Sequence, residues 1–165
     1  MEASRLLAFG VVVAVAVVGC AEDVAEGDTW TPPASDAMGV YEGVGDEGCA
    51  GGLKPGTKEL GERLEAQFDT TFGGYSCRAN TANAKELSLH AVGRALDVDA
   101  SGELGDRIAD YVVTHASELG VQLVIWNHTL WRITPDGATS RPYTGPNPHV
   151  DHVHVEVDRA TATPR

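Results

Sequence analysis

Three of the six histidines in this 165-residue chain fall within six residues, His149-Val-Asp-His-Val-His154. In His152-Val153-His154-Val155-Glu156-Val157 apolar and polar residues alternate, the period of a strand that buries its valines and turns His152, His154 and Glu156 to the other side. Imidazoles at i and i+2 beside an aspartate suit metal binding or proton transfer; the competing reading is an edge strand whose polar face is merely wet. A second polar constellation lies upstream, Ser88-Leu-His90-Ala-Val-Gly93-Arg-Ala95-Leu-Asp97-Val-Asp99. A turn at Gly93 can fold His90 back beside Asp97, in a strand whose Leu96 and Val98 face the core. Zinc takes imidazole nitrogen and carboxylate oxygen at about 2.0–2.2 Å, and three protein ligands with a fourth position left open make a catalytic rather than a structural site. His90, Asp97 and one strand histidine supply such a set.

The elements that must position these groups are readable in outline. Leu60, Leu64 and Phe68 recur every fourth residue behind Thr57, an expected helix cap, and Phe72-Gly73-Gly74 stops that helix. Ser101 is expected to cap a second helix through Leu104, Ile108, Tyr111, Val112 and Leu119, ending at Gly120 in a left-handed conformation. Strands are expected at 94–99, 121–126, 130–133 and 152–157, and loops at 79–87 and 135–148. Helices and strands do not alternate strictly, so the expected class is α+β, a small, mostly antiparallel sheet with flanking helices.

At these residues the sequence resembles the zinc D-alanyl-D-alanine carboxypeptidases and dipeptidases, whose fold is shared with lysostaphin-type endopeptidases and the hedgehog signalling domain. Their Ser-x-His-x-x-Gly-x-Ala-x-Asp signature is matched by Ser88, His90, Gly93, Ala95 and Asp97. Five fixed positions arise by chance on the order of once in three million starts, which makes the motif specific. Asp-x-x-His is present as Asp151 to His154, and the His-x-x-His-x-His of the murein endopeptidase branch as His149, His152 and His154. The stretch from Cys49 to Val157 is most similar to secreted bacterial domains in which a Cys-Arg pair, the Ser-Leu-His-x-x-Gly-Arg-Ala-Leu-Asp segment and a terminal Asp-His-Val-His-Val recur.

The resemblance implies a hedgehog/DD-peptidase-like fold and a Zn2+ site with His90, Asp97 and His154 as ligands. It implies a metallopeptidase whose general base is Asp151, as in the carboxypeptidase branch, or His152, as in the endopeptidase branch. Arg78 corresponds to an arginine thought to stabilise the oxyanion or hold a substrate carboxylate. Ser88 is expected beside the first ligand, His149 on the substrate side, and Trp126, Trp131 and Tyr143 along the cleft, although aromatics in a small domain are more often core. His115 and His128 are expected to be structural or exposed. The expected activity is hydrolysis of peptide bonds in peptidoglycan stems or crosslinks, as carboxypeptidase, dipeptidase or endopeptidase. The rival expectation is a zinc-stabilised, non-catalytic binding module, against which the retention of both Asp151 and His152 argues.

The N-terminus bears on where this chemistry takes place. Leu6 to Val18 is an unbroken apolar run, too short to span a bilayer but suited to an export signal over residues 1–19. Val17-Val18-Gly19-Cys20 resembles a bacterial lipobox, so Cys20 is expected to carry a lipid anchor at the cell envelope. Residues 20–47, with eight acidic residues, no Lys or Arg, and Pro32-Pro33, are expected to form a disordered tether, leaving 48–165 as the peptidase-like domain. The net charge of −12 argues against nucleic acid as a partner, and two thirds of it sits in that tether. Membrane contact through the anchor alone, peptidoglycan peptides as partners and a monomeric state complete the expectation. The two remaining cysteines, Cys49 and Cys77, are expected to form a disulfide in an exported chain.

Overall fold

A computed structural model describes residues 40–164, so the expected signal, the lipid anchor at Cys20 and the first part of the tether lie outside the described residues. Helix α1 (Pro55–Phe68) starts earlier than the sequence suggests. Lys54 is its cap and Pro55 its first residue, because proline's fixed φ and missing N–H fit that position, and Thr57 is buried in the first turn. Strand β1 (Phe72–Gly73) follows, then β2 (Ala95–Asp99) and helix α2 (Gly102–Thr114), with Ser101 at the cap but making no side-chain capping bond. The expected single second helix is broken at His115, whose backbone leaves helical geometry and whose Nδ1 lies 2.8 Å from the Tyr111 carbonyl. Helix α3 (Ala116–Leu119) resumes the path and ends at left-handed Gly120.

Strands β3 (Val121–Trp126) and β4 (Thr129–Thr134) join through Asn127 and His128, both at positive φ as a two-residue hairpin turn requires. Strand β5 (Gly137–Pro142) lies where a loop was expected. It is an exposed edge strand, and with neither face fully buried its sequence carries no apolar alternation. Strand β6 (His152–Val157) and helix α4 (Arg159–Ala162) complete the fold. The six strands form one antiparallel sheet in the order β1-β2-β6-β3-β4-β5, and the class is α+β as expected.

The helices cover one face. Leu64, Ile108 and Val112 pack there on Leu96, Val98, Val124, Val153, Val155 and Val157. Trp126 and Trp131, both expected along the cleft, instead belong to this core. The Trp126 indole N–H donates to Asp106 Oδ1 at 2.8 Å, and a side chain at Gly105 would collide with its ring. A register shift between Val121 and Leu123 interrupts the alternation of β3 and brings Val121, Val124 and Trp126 to the same side.

The end of the expected tether is folded. Val44 is buried with Leu89, Val92 and Ala95, so the domain begins before residue 48. The cause is Arg94, 1% exposed, whose guanidinium donates to the carbonyls of Glu42, Gly43 and Val157 at 3.2, 2.6 and 3.3 Å. Its charge is met by Glu47 at 3.2 Å and Glu42 at 3.9 Å. A buried cation needs such partners, and carboxylates from the acidic run provide them. Arg94→Ala is expected to lower the unfolding free energy by about 3 kcal/mol, with Arg94→Lys recovering only part because one ammonium cannot span three carbonyls; urea denaturation checks both.

Candidate metal centre

On the open face of the sheet, the register sets Asp97 directly opposite His154. His90 arrives from the side. The segment 88–94 makes a tight turn, with the Gly93 N–H donating to the His90 carbonyl and the Arg94 N–H to the Leu89 carbonyl. The specified positions of the motif have local reasons in this turn. Ser88 Oγ accepts from the His90 N–H at 3.3 Å, and Ala95 is fully buried in the cluster that receives Val44. Gly93 has φ +72°, and any Cβ there would strike the Gly52 carbonyl. Gly74 at φ +129° lets the backbone pass against Asp97 and the His90 ring.

The result is a triangle of donor atoms. His90 Nε2 lies 3.2 Å from His154 Nδ1 and 3.6 Å from Asp97 Oδ1, and the latter two are 3.0 Å apart. A tetrahedral ion with bonds of about 2.1 Å has ligand atoms about 3.4 Å apart, so the triangle fits one face of such a site. These three are the group of metal-ligating residues that meets this geometry among the described residues. Buried His90, Asp97 and His154 can therefore hold a metal ion.

The second layer fits as well. A ligating imidazole ordinarily gives its other N–H to a carboxylate or carbonyl. His154 Nε2 lies 3.2 Å from Glu156 Oε1, and Glu156 Oε2 accepts from the Tyr41 hydroxyl at 3.0 Å. The Glu156 side chain was legible as part of the polar face of its strand, but nothing in the sequence pointed to Tyr41, 115 positions away. Burial depresses the His154 pKa, but hydrogen bonds to Asp97 and Glu156 outweigh it and lift the group to about 9. Burial and the neighbouring His154 charge lower His90 to about 4. Burial also works on Asp97 by raising its pKa, yet the His154 hydrogen bond and the nearby imidazoles leave it lowered. Without metal, an imidazolium thus holds positive charge between two carboxylates.

The remaining expected residues surround this centre in different ways. His152 Nδ1 lies 2.7 Å from Asp151 Oδ1 and its Nε2 lies 3.7 Å from Asp97. The Asp151 side chain is 79% exposed and His152 only 16%, so the histidine faces the site with the acid behind it. His149, at positive φ, stacks edge-on to Tyr143 and His152 at ring distances of 5.0 and 4.9 Å. Burial and the neighbouring histidines lower its pKa to about 4. Arg78, Ser88, Tyr143 and His149 all border the cavity of about 380 Å³ that contains the donors. The Cys49–Cys77 disulfide fixes the chain next to Arg78, whose charge contributes to lowering His90. A larger cavity of about 580 Å³, between residues 40–45 and Arg159, has no such donor set among the described residues.

A family model for the C-terminal domain of VldE matches residues 49–154, well over half of the chain. The chain belongs to the VldE C-terminal domain family. The match begins at the first disulfide cysteine and ends at the last metal donor, so the disulfide and the donor triangle lie within the family region, while Tyr41 and Glu156 lie outside it. No curated protein and no solved structure matches the chain.

Metal binding at pH 7 is expected to release close to one proton, from His154, with His90 already neutral. Affinity should therefore rise about tenfold per pH unit from pH 5 towards 9, and level off above it; calorimetry in buffers of different ionisation heat counts the proton. Glu156→Gln and Tyr41→Phe are each expected to weaken metal binding, the former by about 10–100-fold, in competition with a chromophoric chelator.

Proposed function

We propose that the protein is a zinc-dependent metallopeptidase acting on the peptide stems or crosslinks of bacterial peptidoglycan, anchored at the cell envelope through Cys20. The observation that carries this reading is the donor triangle at the floor of an open cavity, flanked by a histidine–aspartate pair and an arginine. The Ser88-to-Asp97 motif and its resemblance to the zinc D-alanyl-D-alanine peptidases supply the reaction class and the metal, an argument by analogy. The side chains fit it. Two imidazoles and one carboxylate are a donor set that zinc takes, and Asp97, 30% exposed, leaves a side of the centre open to the cavity.

When bound, zinc supplies Lewis-acid polarisation of the substrate carbonyl and acidifies a water. The chain's own groups would do the rest. Asp151 accepts from the Nδ1–H of His152, which fixes the tautomer and leaves Nε2 basic and turned towards the site. That favours His152 as the base that takes a proton from the attacking water and passes it to the leaving amine, with Asp151 as its orienting partner. The Arg78 guanidinium would stabilise negative charge developing on the carbonyl oxygen. Glu156 and Tyr41 would keep the His154 ring in its ligating orientation.

Zinc-loaded protein is expected to cleave peptidoglycan-derived peptides, with His152→Ala lowering kcat by about 10²–10⁴-fold and Asp151→Asn by less, while both keep one zinc per chain. The opposite ranking would make Asp151 the base. No cleavage by protein holding one zinc would overturn the peptidase reading in favour of a metal-stabilised binding module.

A further inference from the structure

The open face of the sheet carries more than the donor cluster. Strand registers set two rows across it. One runs Asp97, His154, Ile125, Leu130, Arg141, and the next runs Ala95, Glu156, Leu123, Arg132, Thr139. Leu123, Ile125 and Leu130 pack into an apolar shelf between the donors and the two arginines, with Tyr41 and Tyr143 against it. Both arginines border the cavity that holds the donors. The Arg132 guanidinium sits 3.7 Å over the Tyr41 ring, and Tyr41 is held by Glu156. Among the described residues neither Arg132 nor Arg141 forms an ion pair with a carboxylate. The two carboxylates bordering the cavity, Asp97 and Glu156, are engaged by histidines and Tyr41.

We infer that Arg132 and Arg141 form a carboxylate subsite at the far end of this shelf. The inference rests on the peptidase reading and names its substrate class: an extended peptide with an acidic group some residues from the bond cut. Three strand spacings separate β6 from β5, roughly 14 Å between backbones, and the Arg132 side chain reaches back over part of that to lie on Tyr41. At roughly 3.3 Å per residue, the acidic group lies about two or three residues from the scissile bond. Two guanidiniums on neighbouring strands, one of them stacked, suit a planar anion that accepts paired hydrogen bonds. The shelf between takes the intervening apolar side chains. The carboxylate has two sources in a peptide, a side chain or the chain end.

The test uses full-length protein in detergent, stripped of metal by a chelator, and calorimetry with three peptides. These are L-Ala-γ-D-Glu-L-Lys-D-Ala-D-Ala, its D-Glu α-carboxamide and its C-terminal carboxamide. One amide is expected to bind about tenfold or more weakly than the parent peptide, and which one identifies the source. In the Arg132→Gln, Arg141→Gln double variant the discrimination should fall below about twofold, and the corresponding lysine variants should restore part of it. Equal binding of all three peptides, no binding of any, or discrimination unchanged in the double variant would overturn the subsite. Binding is read without metal, so failure of the zinc-loaded protein to cleave counts against the peptidase reading alone.

Discussion

Pairing of β2 with β6 in a single register makes a carboxylate and an imidazole neighbours, and the same register drives Val153, Val155 and Val157 under the helices. A slip of one residue would put His152, His154 and Glu156 among Leu96, Val98 and Ile108 and expose the valines, at the cost of several buried, unpaired polar groups. The burial that stabilises the sheet therefore fixes the donors as well. His90 is placed separately, by a turn whose shape is dictated by Gly93 and by the buried Ala95.

Much of this was legible. Alternation in β6 separated core from site because every second residue is a valine, and the motif around His90 reported a tight turn followed by a strand. Other parts were hidden for physical reasons. The β5 edge is held by pairing with β4 rather than by burial, so its residues carry no periodic signal. Trp126 belongs to the core because a register irregularity in β3 alters which residues share a face, and a local reading of the strand does not contain the partner that causes it. The start of α1 lies three residues before the expected one, with Lys54 rather than Thr57 at the cap, because the proline was a stronger signal than the threonine. Tyr41 was out of reach for a different reason: its role comes from a contact with Glu156 that only the folded chain creates.

Two charges out of water govern how the N-terminal segment folds. Arg94 is buried where the turn meets the sheet, and His154 is buried at the centre of the donor set. Residues 41–47 answer both. Glu42, Glu47 and two backbone carbonyls of the segment surround Arg94, while Tyr41 completes the hydrogen-bond chain through Glu156 to His154. A stretch whose composition reads as solvated spacer is thus part of the domain, because the folded part supplies buried cations for it to neutralise. Composition records how many charges a segment carries and nothing of what they face.

The same distinction applies to the cleft. The chain is strongly acidic, yet the cavity holding the donors is bordered by Arg78, Arg132 and Arg141 against two carboxylates, Asp97 and Glu156, one charge of which the shared His154 imidazolium offsets. Exposed acidic groups elsewhere are screened over about 8–10 Å at ordinary ionic strength, whereas a concave site with apolar walls holds its local field. The potential a ligand meets is therefore set by these few arginines rather than by the net charge. Under the carboxylate subsite proposed above, an approaching acidic peptide would be repelled weakly at a distance and attracted in the cleft, and the apolar shelf between the arginines and the donors would turn that attraction into a direction along the sheet.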